Sequence, residues 1–292
     1  MTVFKDFQSF NKYIGLPKPL DNNIDIGYYD PPNMLLKSDL VMVDFYRISV
    51  KINFIDKTAS NPKPITAIFF NSPELSTSWD IEPTYTGMYL QLSKKIIEEN
   101  RYLFKTYLDY GQHEALYLTE KEVQEISAIF GLMTKYYDSD KKQFGVLLSY
   151  VNVLITLVEA YYSRQFSTNP KQYNRIVTDF QQSLKDYYNQ PANQLPSVQY
   201  FADKLGLTSN YLGDIIKHFT HKSAIENIHE FVTNKAKEML ENRSDLNNTE
   251  IAYELGFEYP NYFARFFKKQ VNLTPKEYRL QFADKKLNLQ RL

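Results

Sequence analysis

The chain has 292 residues, 43% hydrophobic and 23% charged, which are ordinary values for a globular protein long enough to form two domains. Its 34 basic and 34 acidic residues balance to a formal net charge of zero, which excludes a uniformly basic chain. The absence of cysteine excludes disulfides, thiolate nucleophiles and cysteine zinc sites. The sequence shows no apolar run of about 18 residues and no signal-like N-terminus, so we expect a cytoplasmic protein without membrane contact.

The first hundred residues favour β-strands. Residues 40–54 and 65–70 are rich in Val, Ile, Phe and Tyr, which suit a pleated sheet, and prolines separate the apolar runs. Short strands with Pro-rich connections are typical of antiparallel barrels and sandwiches. We therefore predict such an architecture for the N-terminal part.

Aromatic side chains are concentrated in this β-rich part. They could line a small-molecule pocket, or they could simply form the domain core. Arg47 lies in an apolar strand and could meet an acidic ligand, or it could form a surface salt bridge. The sequence identifies no effector. The aromatic residues concerned are Tyr28, Tyr29, Phe45, Tyr46, Phe54, Phe69, Phe70, Trp79 and Tyr85.

Helical signals follow from residue 119. Thr119 and Glu122 form a capping-box pattern, and apolar residues continue from it at helical spacing. A second helical segment, residues 141–166, carries a broad apolar face. That face could be buried within its own domain, or residues 120–166 could form a homodimer contact.

A change of composition near Pro170 predicts a boundary between a domain of residues 1–166 and one of residues 167–292. From Pro170 onward there are 17 Lys and Arg against 14 Asp and Glu, and from Pro260 onward 8 against 2. This excess of basic residues could indicate a surface that binds nucleic acid, or it could simply be a solvated helix face.

Two C-terminal segments repeat one pattern. Residues 201–207 (FADKLGL) align with residues 251–257 (IAYELGF) at an offset of 50, and the following apolar positions align at 51. Each copy predicts a short helix with a small Ala, a turn at Gly and a second helix, which is a helix-turn-helix unit. Residues 225–240 predict a connecting helix of about 24 Å, compatible with two recognition helices in major grooves about 34 Å apart.

The second copy resembles the signature of the AraC/XylS family of transcription regulators. The resemblance implies a DNA-binding domain with two helix-turn-helix units and, more loosely, a cupin-like N-terminal sensing and dimerisation domain. The predicted fold class is α+β: an antiparallel β-barrel with a helical pair, followed by an all-α domain of about seven helices. The motifs are residues 250–257 (EIAYELGF), 263–269 (FARFFKK) and 274–279 (TPKEYR), within a match over about residues 170–279.

The resemblance implies that the second recognition helix begins near Tyr259 or Pro260. Arg265 could bind a guanine edge and Asn261 an adenine edge, while the lysine pair would contact phosphates. A solvated basic helix is the alternative. The implied DNA-binding residues are Asn261, Tyr262, Ala264, Arg265, Lys268 and Lys269.

The first copy is less typical. Gly213 inside a helix costs up to about 1 kcal/mol against Ala, which suggests a close approach of its backbone to another group. Asp214 could accept from a cytosine amino group, or it could pair with Lys217. Asn272 stands where the family carries Gly, and His221 is its counterpart in the first copy; Asn tolerates the left-handed conformation. The implied DNA-binding residues are Ser209, Asn210, Tyr211, Gly213, Asp214 and Lys217.

Other classes of function receive little support. An enzyme or metal site would need several ligands, whereas His113 is the single histidine of the N-terminal half, and His218, His221 and His229 lie in the other half. We therefore expect no catalysis, metal or cofactor. An architectural DNA protein that does not read sequence is the alternative. The expected partners are double-stranded DNA, a second copy of the chain, an unidentified small-molecule effector, and RNA polymerase if the protein is an activator.

Overall fold

The computed structural model describes residues 1–30, 33–57, 62–73, 75–82, 85–103, 110, 114–138, 143–189 and 192–289, with residues 283–289 described for the backbone only. His113 lies outside the described residues. The chain divides into two compact units, Met1–Asn169 and Pro170–Leu292. The first unit combines strands and helices, and the described part of the second is helical, so the fold class is α+β.

The first unit contains eight short strands among its described residues. They are β1 (Thr2–Phe4), β2 (Ile24–Tyr28), β3 (Val41–Val43), β4 (Phe45–Phe54), β5 (Ile65–Asn71), β6 (Ser76–Thr77), β7 (Thr86–Ser93) and β8 (Leu116–Tyr117). Five form an antiparallel sheet in the order β2-β7-β4-β5-β8, and three form a second sheet in the order β1-β3-β6.

The predicted closed antiparallel barrel is not observed in the described part of the chain. Each sheet has two edges, with β2 and β8 at the edges of the larger one. In the smaller sheet β1 pairs with β3 in parallel. Parallel neighbours need a long connection between them, and here α1 and β2 lie between the two strands in the chain. In the larger sheet the register of β4 shifts between Lys51 and Phe54, where Asn53 adopts a φ of 57°. Such a bulge bends the strand.

Four helices complete the first unit within the described residues: α1 (Phe7–Ile14), α2 (Lys94–Glu99), α3 (Glu120–Tyr137) and α4 (Phe144–Thr168). The predicted capping box at Thr119 is confirmed, since its side chain and that of Glu122 each accept from the other's backbone N–H. Arg164 of α4 binds Glu122 through two hydrogen bonds of 3.0 and 2.7 Å. This bidentate pair fixes α4 against α3.

The helix α4 is the described helix whose length and apolar composition could cross a membrane, a property shared by core helices of soluble folds. Its inner face is buried in the first unit through Leu147, Val151, Leu154 and Val158. Its outer face keeps Val153 at 46% exposure. The predicted apolar face is therefore partly buried within the unit and partly open.

The described part of the second unit contains seven helices, as predicted. They are α5 (Pro170–Tyr187), α6 (Val198–Leu205), α7 (Ser209–Thr220), α8 (Ala224–Asn242), α9 (Asn248–Glu254), α10 (Pro260–Val271) and α11 (Pro275–Leu289). Phe180 of α5 packs edge-on against Phe201 of α6 with ring centroids 5.4 Å apart. Both rings are almost fully buried, which joins α5 to the first repeat.

Candidate nucleic-acid interface

The two predicted helix-turn-helix units are α6–α7 and α9–α10. The first helix of each unit is followed by a glycine in the left-handed region, Gly206 at φ 68° and Gly256 at φ 84°. A Cβ on Gly256 would also lie 2.3 Å from the carbonyl oxygen of Gln194, so this position requires glycine for space as well as conformation. Ala202 and Ala252 are fully buried, which allows the two helices of each unit to cross closely.

The repeat extends further than the sequence pattern indicated. The recognition helices α7 and α10 end at His221 and Asn272, whose φ angles of 59° and 61° show the left-handed caps expected there. Ser223 and Glu226 then form a capping box at the start of α8. Thr274 makes the same exchange of hydrogen bonds with Glu277 at the start of α11. The spacing S-x-x-E was the signal that could have revealed the first of these boxes.

The connecting helix α8 links the two units. It runs from Ala224 to Asn242, slightly longer than predicted, and its 19 residues span about 28 Å. His229 of α8 lies edge-on to Phe266 of α10, with ring centroids 5.3 Å apart. Burial and the nearby Lys269 lower the pKa of His229, which favours a neutral ring in this contact. The second recognition helix is thus packed against the connecting helix.

The helix α10 has a buried face and a polar face. Phe263 and Phe267 are at most 1% exposed and hold the helix in the core. Pro260 occupies the first turn, as predicted. The opposite face carries the residues implied as DNA contacts: Asn261, Tyr262, Arg265, Lys268 and Lys269 are exposed, and Ala264 is partly exposed.

Basic charge dominates this polar face. Arg265 makes no hydrogen bond or ion pair with another residue in the described part of the chain, and Lys268 and Lys269 extend the positive charge to the end of α10. Lysines in the last turn also complement the helix dipole. At the other end, the rings of Tyr259 and Tyr262 lie 5.4 Å apart and both are about half exposed. Tyr259 was not among the predicted contacts.

The helix α7 presents a different surface. Ser209 donates a 2.7 Å hydrogen bond to Gln199 of α6. The side-chain nitrogen of Asn210 is buried without a hydrogen-bond partner in the described part of the chain. Asp214 is partly exposed and Lys217 is exposed. A Cβ on Gly213 would meet nothing within 4 Å, so no group in the described part of the chain explains that glycine.

Tyr211 is placed differently from the expectation. It is 7% exposed, because its ring lies on the core side of α7 beside the fully buried Leu212 and Ile215. A buried ring offers little surface to a groove, and the proposed contacts below therefore omit it. Periodicity alone could not separate this tyrosine from an exposed one, since Tyr suits both environments.

The last segment of the motif, residues 274–279 (TPKEYR), has a structural role in this chain. Arg279 of α11 donates hydrogen bonds to the carbonyl oxygens of Leu240 at 3.3 Å and Leu246 at 2.9 Å. These carbonyls belong to the end of α8 and the loop after it, where helical partners are missing. Tyr278 adds a 2.5 Å hydrogen bond to Glu241. The segment TPKEYR therefore fastens α11 to α8.

Comparisons with known proteins give consistent matches for the C-terminal part. A family model described as a helix-turn-helix domain matches residues 201–281. An uncharacterized HTH-type transcriptional regulator in the cgkA 5' region of Pseudoalteromonas carrageenovora is 37% identical over 87 residues, which cover 30% of this chain and 51% of that protein. Histidine kinase P4 of Formosa agariphila is 32% identical over 93 residues, which cover 32% of this chain and 7% of that protein.

A solved structure matches over a similar part. The C-terminal domain of the two-component response regulator yesN from Fusobacterium nucleatum is 32% identical, with 34% of this chain and 93% of that domain covered and a TM-score of 0.31. The chain spans about half the length of one of the two curated relatives and 7% of the other. Each of these matches covers about a third of this chain.

Proposed function

We infer that this chain is a transcription regulator of the AraC/XylS type, which binds DNA sequence-specifically and reads it mainly with its second helix-turn-helix unit; the helix-turn-helix match and the regulator relative support this inference. The observation that carries this inference is the exposed stripe on α10. Asn261, Arg265 and Lys268 follow one another at spacings of four and three residues, on the side opposite the buried phenylalanines. Side chains at this spacing share one helix face, which a major groove can admit.

The chemistry of the stripe suggests a role for each side chain. The guanidinium of Arg265 can donate twice to the O6 and N7 atoms of guanine, and the amide of Asn261 can pair with adenine. Ala264 is small and can contact a thymine methyl group. Lys268 and Lys269 near the helix end would bind phosphates and so fix the register of the protein on DNA. Tyr262 completes the set.

The first helix-turn-helix unit, α6–α7, has a smaller role in this proposal. Ser209, Gly213, Asp214 and Lys217 remain the candidate contacts, and Asn210 contributes only if its amide turns outward. Asp214 would repel phosphate unless it accepts from a base amino group. We therefore assign α7 chiefly to positioning on the duplex.

The N-terminal compact unit, Met1–Asn169, would supply dimerisation and control. We propose a homodimer through residues 120–166, supported by exposed apolar side chains on both helices, Leu132 of α3 and Val153 of α4. A dimer would place up to four helix-turn-helix units on DNA, and an effector bound by the N-terminal domain would bias their arrangement. RNA polymerase is a further partner if the protein activates transcription. We propose that the protein acts in the cytoplasm, where a bacterial regulator of this kind meets DNA.

Selection from random DNA tests the central proposal. The full chain is incubated with a random duplex library, and bound fragments are sequenced and footprinted. We expect an enriched motif protected over about two successive major grooves, as for two recognition helices about 34 Å apart. The double variant Asn261→Ala/Arg265→Ala should bind the library without enrichment. Uniform coverage by the unaltered chain would instead support the architectural alternative.

A further inference from the structure

The recognition helix α10 begins without a side-chain cap. Its N-cap residue is Tyr259, whose backbone is extended and whose side chain makes no capping hydrogen bond in the described part of the chain. At the equivalent position of the first helix-turn-helix unit, Thr208 accepts from the backbone N–H of Tyr211 at 3.3 Å. Small polar residues stabilise the start of a helix at this position. The second helix-turn-helix unit therefore carries a large ring where a small polar residue would stabilise the helix more.

The ring of Tyr259 packs against that of Tyr262. The two ring centroids lie 5.4 Å apart and the ring planes meet at 85°, an edge-to-face arrangement that aromatic pairs favour. Tyr259 is 52% exposed and Tyr262 is 55% exposed, so the pair leaves much of its surface in contact with water. Such a pair cannot form in the first helix-turn-helix unit, because Thr208 has no ring and Tyr211 is buried. The two tyrosines form an exposed aromatic surface at the start of α10 that its counterpart α7 lacks.

Glu258 determines which part of this aromatic surface is available to a partner. Its carboxylate accepts a hydrogen bond from the hydroxyl of Tyr259, and this contact raises the pKa of that hydroxyl. The carboxylate also carries a negative charge, which opposes the approach of a phosphate group to the same hydroxyl. Tyr259 therefore offers ring surface to a partner rather than a hydrogen-bond donor to phosphate.

The surroundings of the pair identify the kind of partner. Tyr262 lies one turn before Arg265 and two turns before Lys269 on the same side of α10, and all three are exposed. Positive charge beside an aromatic surface suits DNA better than an apolar protein surface. The N-terminal residues of a recognition helix are those that contact base edges. The apolar group that a base edge presents in the major groove is the C5 methyl group of thymine, and a ring at this end of α10 would contact it.

We propose that Tyr259 and Tyr262 together contact thymine methyl groups in the DNA site, and so set a preference for thymine beside the base pair that Arg265 contacts. The contact removes the methyl group and part of both rings from water, which is the source of its free energy. Tyr262 supplies the ring that lies one turn from Arg265, and Tyr259 supplies a second ring and orients the first through their edge-to-face contact. This role rests on the proposed function, since it requires α10 to lie in the major groove.

The test compares thymine with uracil, which differs from it by the C5 methyl group alone. The DNA motif selected by the full chain is synthesised with deoxyuridine in place of one thymidine at a time, and Kd is measured by fluorescence anisotropy. The uracil ratio is the Kd for the uracil duplex divided by the Kd for the thymine duplex. We expect one or two positions with a uracil ratio of about 4, the effect of one methyl group removed from water. At these positions the double variant Tyr259→Ser/Tyr262→Ala should have a ratio of about 1.

Single variants assign the effect to the rings. Tyr259→Phe keeps the ring and should keep the uracil ratio, whereas Tyr259→Ser should lower it. Tyr259→Ser should also keep or raise Tm, because a serine at the N-cap offsets the lost ring contact, so a lower ratio would not reflect unfolding. Tyr253→Ser is the matched control. Tyr253 is 52% exposed on α9, and its substitution should leave the uracil ratio unchanged.

Three results would overturn the inference: a selected motif without thymine, a motif in which uracil is tolerated at every position, or an undiminished uracil ratio in Tyr259→Ser or the double variant. A selected motif that tolerates uracil contradicts this inference alone. A random library from which no motif is enriched contradicts the proposed function and this inference with it, because a preference for thymine would itself enrich a motif.

Discussion

Tyr211 and Tyr262 occupy equivalent positions in the two recognition helices, yet Tyr211 is 7% exposed and Tyr262 is 55% exposed. In the first helix-turn-helix unit the tyrosine belongs to the core, whereas in the second helix-turn-helix unit it is exposed to solvent near Arg265. The two units therefore share a fold without sharing a recognition surface.

This contrast predicts opposite phenotypes for two equivalent substitutions. Tyr211→Ala should lower the free energy of unfolding by about 3 kcal/mol, because it leaves a cavity in the core. Tyr262→Ala should change stability by less than about 0.5 kcal/mol and should weaken DNA binding. Chemical denaturation and fluorescence anisotropy measure the two quantities. If Tyr211→Ala were as stable as the unaltered chain but bound DNA more weakly, Tyr211 would be a DNA contact rather than a core residue.

Arg265 and Lys268 should differ in how they affect DNA recognition. Arg265→Ala should cost about 1–3 kcal/mol on the selected sequence and relax discrimination at one or two base pairs. Lys268→Ala should weaken binding to all sequences and reduce the salt slope by about 1. Gln270→Ala, an exposed change on the same helix, is the matched control. Equal losses on selected and random DNA for Arg265→Ala would contradict its role as a base reader.

Gly213 gives a test of close approach between α7 and DNA. Gly213→Ala should stabilise the protein by about 0.5–1 kcal/mol, since the added Cβ meets nothing and Ala favours the helix. The same change should weaken DNA binding if the backbone lies against the duplex. Gly145→Ala, at an equally open position of α4, should leave DNA affinity unchanged. An unchanged DNA affinity of Gly213→Ala would show that the backbone of α7 does not contact DNA at this position.

The dimer proposal predicts that charge on the exposed apolar surface disrupts association. The double variant Leu132→Glu/Val153→Glu should sediment as a monomer while retaining its Tm, because both side chains are more than 40% exposed. Sedimentation velocity distinguishes the two species. Gln8→Glu places the same carboxylate on α1 and should leave the dimer intact. A dimeric double variant would move the interface away from residues 120–166.

Lys51 predicts a dependence of stability on pH. Its pKa is lowered to about 7 in the fold, so between pH 7 and its ordinary value of 10.5 the unfolded chain binds a proton that the folded chain does not. Stability should therefore rise from pH 7 toward pH 10, and the contribution should be constant below pH 7. The charged or titratable groups facing Lys51 are Arg47, Asp56, Tyr29 and Tyr85, and burial raises the pKa of Tyr85 further above this range.

Thermal unfolding across this pH range measures the effect. Lys51→Met should flatten the slope, and Lys63→Met should preserve it. An identical slope in Lys51→Met would assign the dependence to another group.

The sequence by itself determined the repeated C-terminal architecture. Gly206, Gly256, the small alanines and the apolar spacing are local requirements of a turn between two helices, and local requirements are visible in a sequence. The capping box at Thr119 is equally local, since its two partners are three residues apart. The residues of the exposed stripe on α10 were implied by the resemblance to the AraC/XylS family.

Tertiary structure decided what depends on residues distant in the chain. Within the described residues the two sheets are open, so the predicted barrel is not confirmed; closure depends on pairing between edge strands, which strand composition does not record. The burial of Tyr211, the anchoring of Arg279 on the carbonyl of Leu246, and the hydrogen bond from Arg47 to the hydroxyl of Tyr29 all arise from neighbours brought together by folding. A sequence pattern indicates which face of a helix or strand a residue occupies. The residues that contact it on that face are determined by the packing of the whole unit.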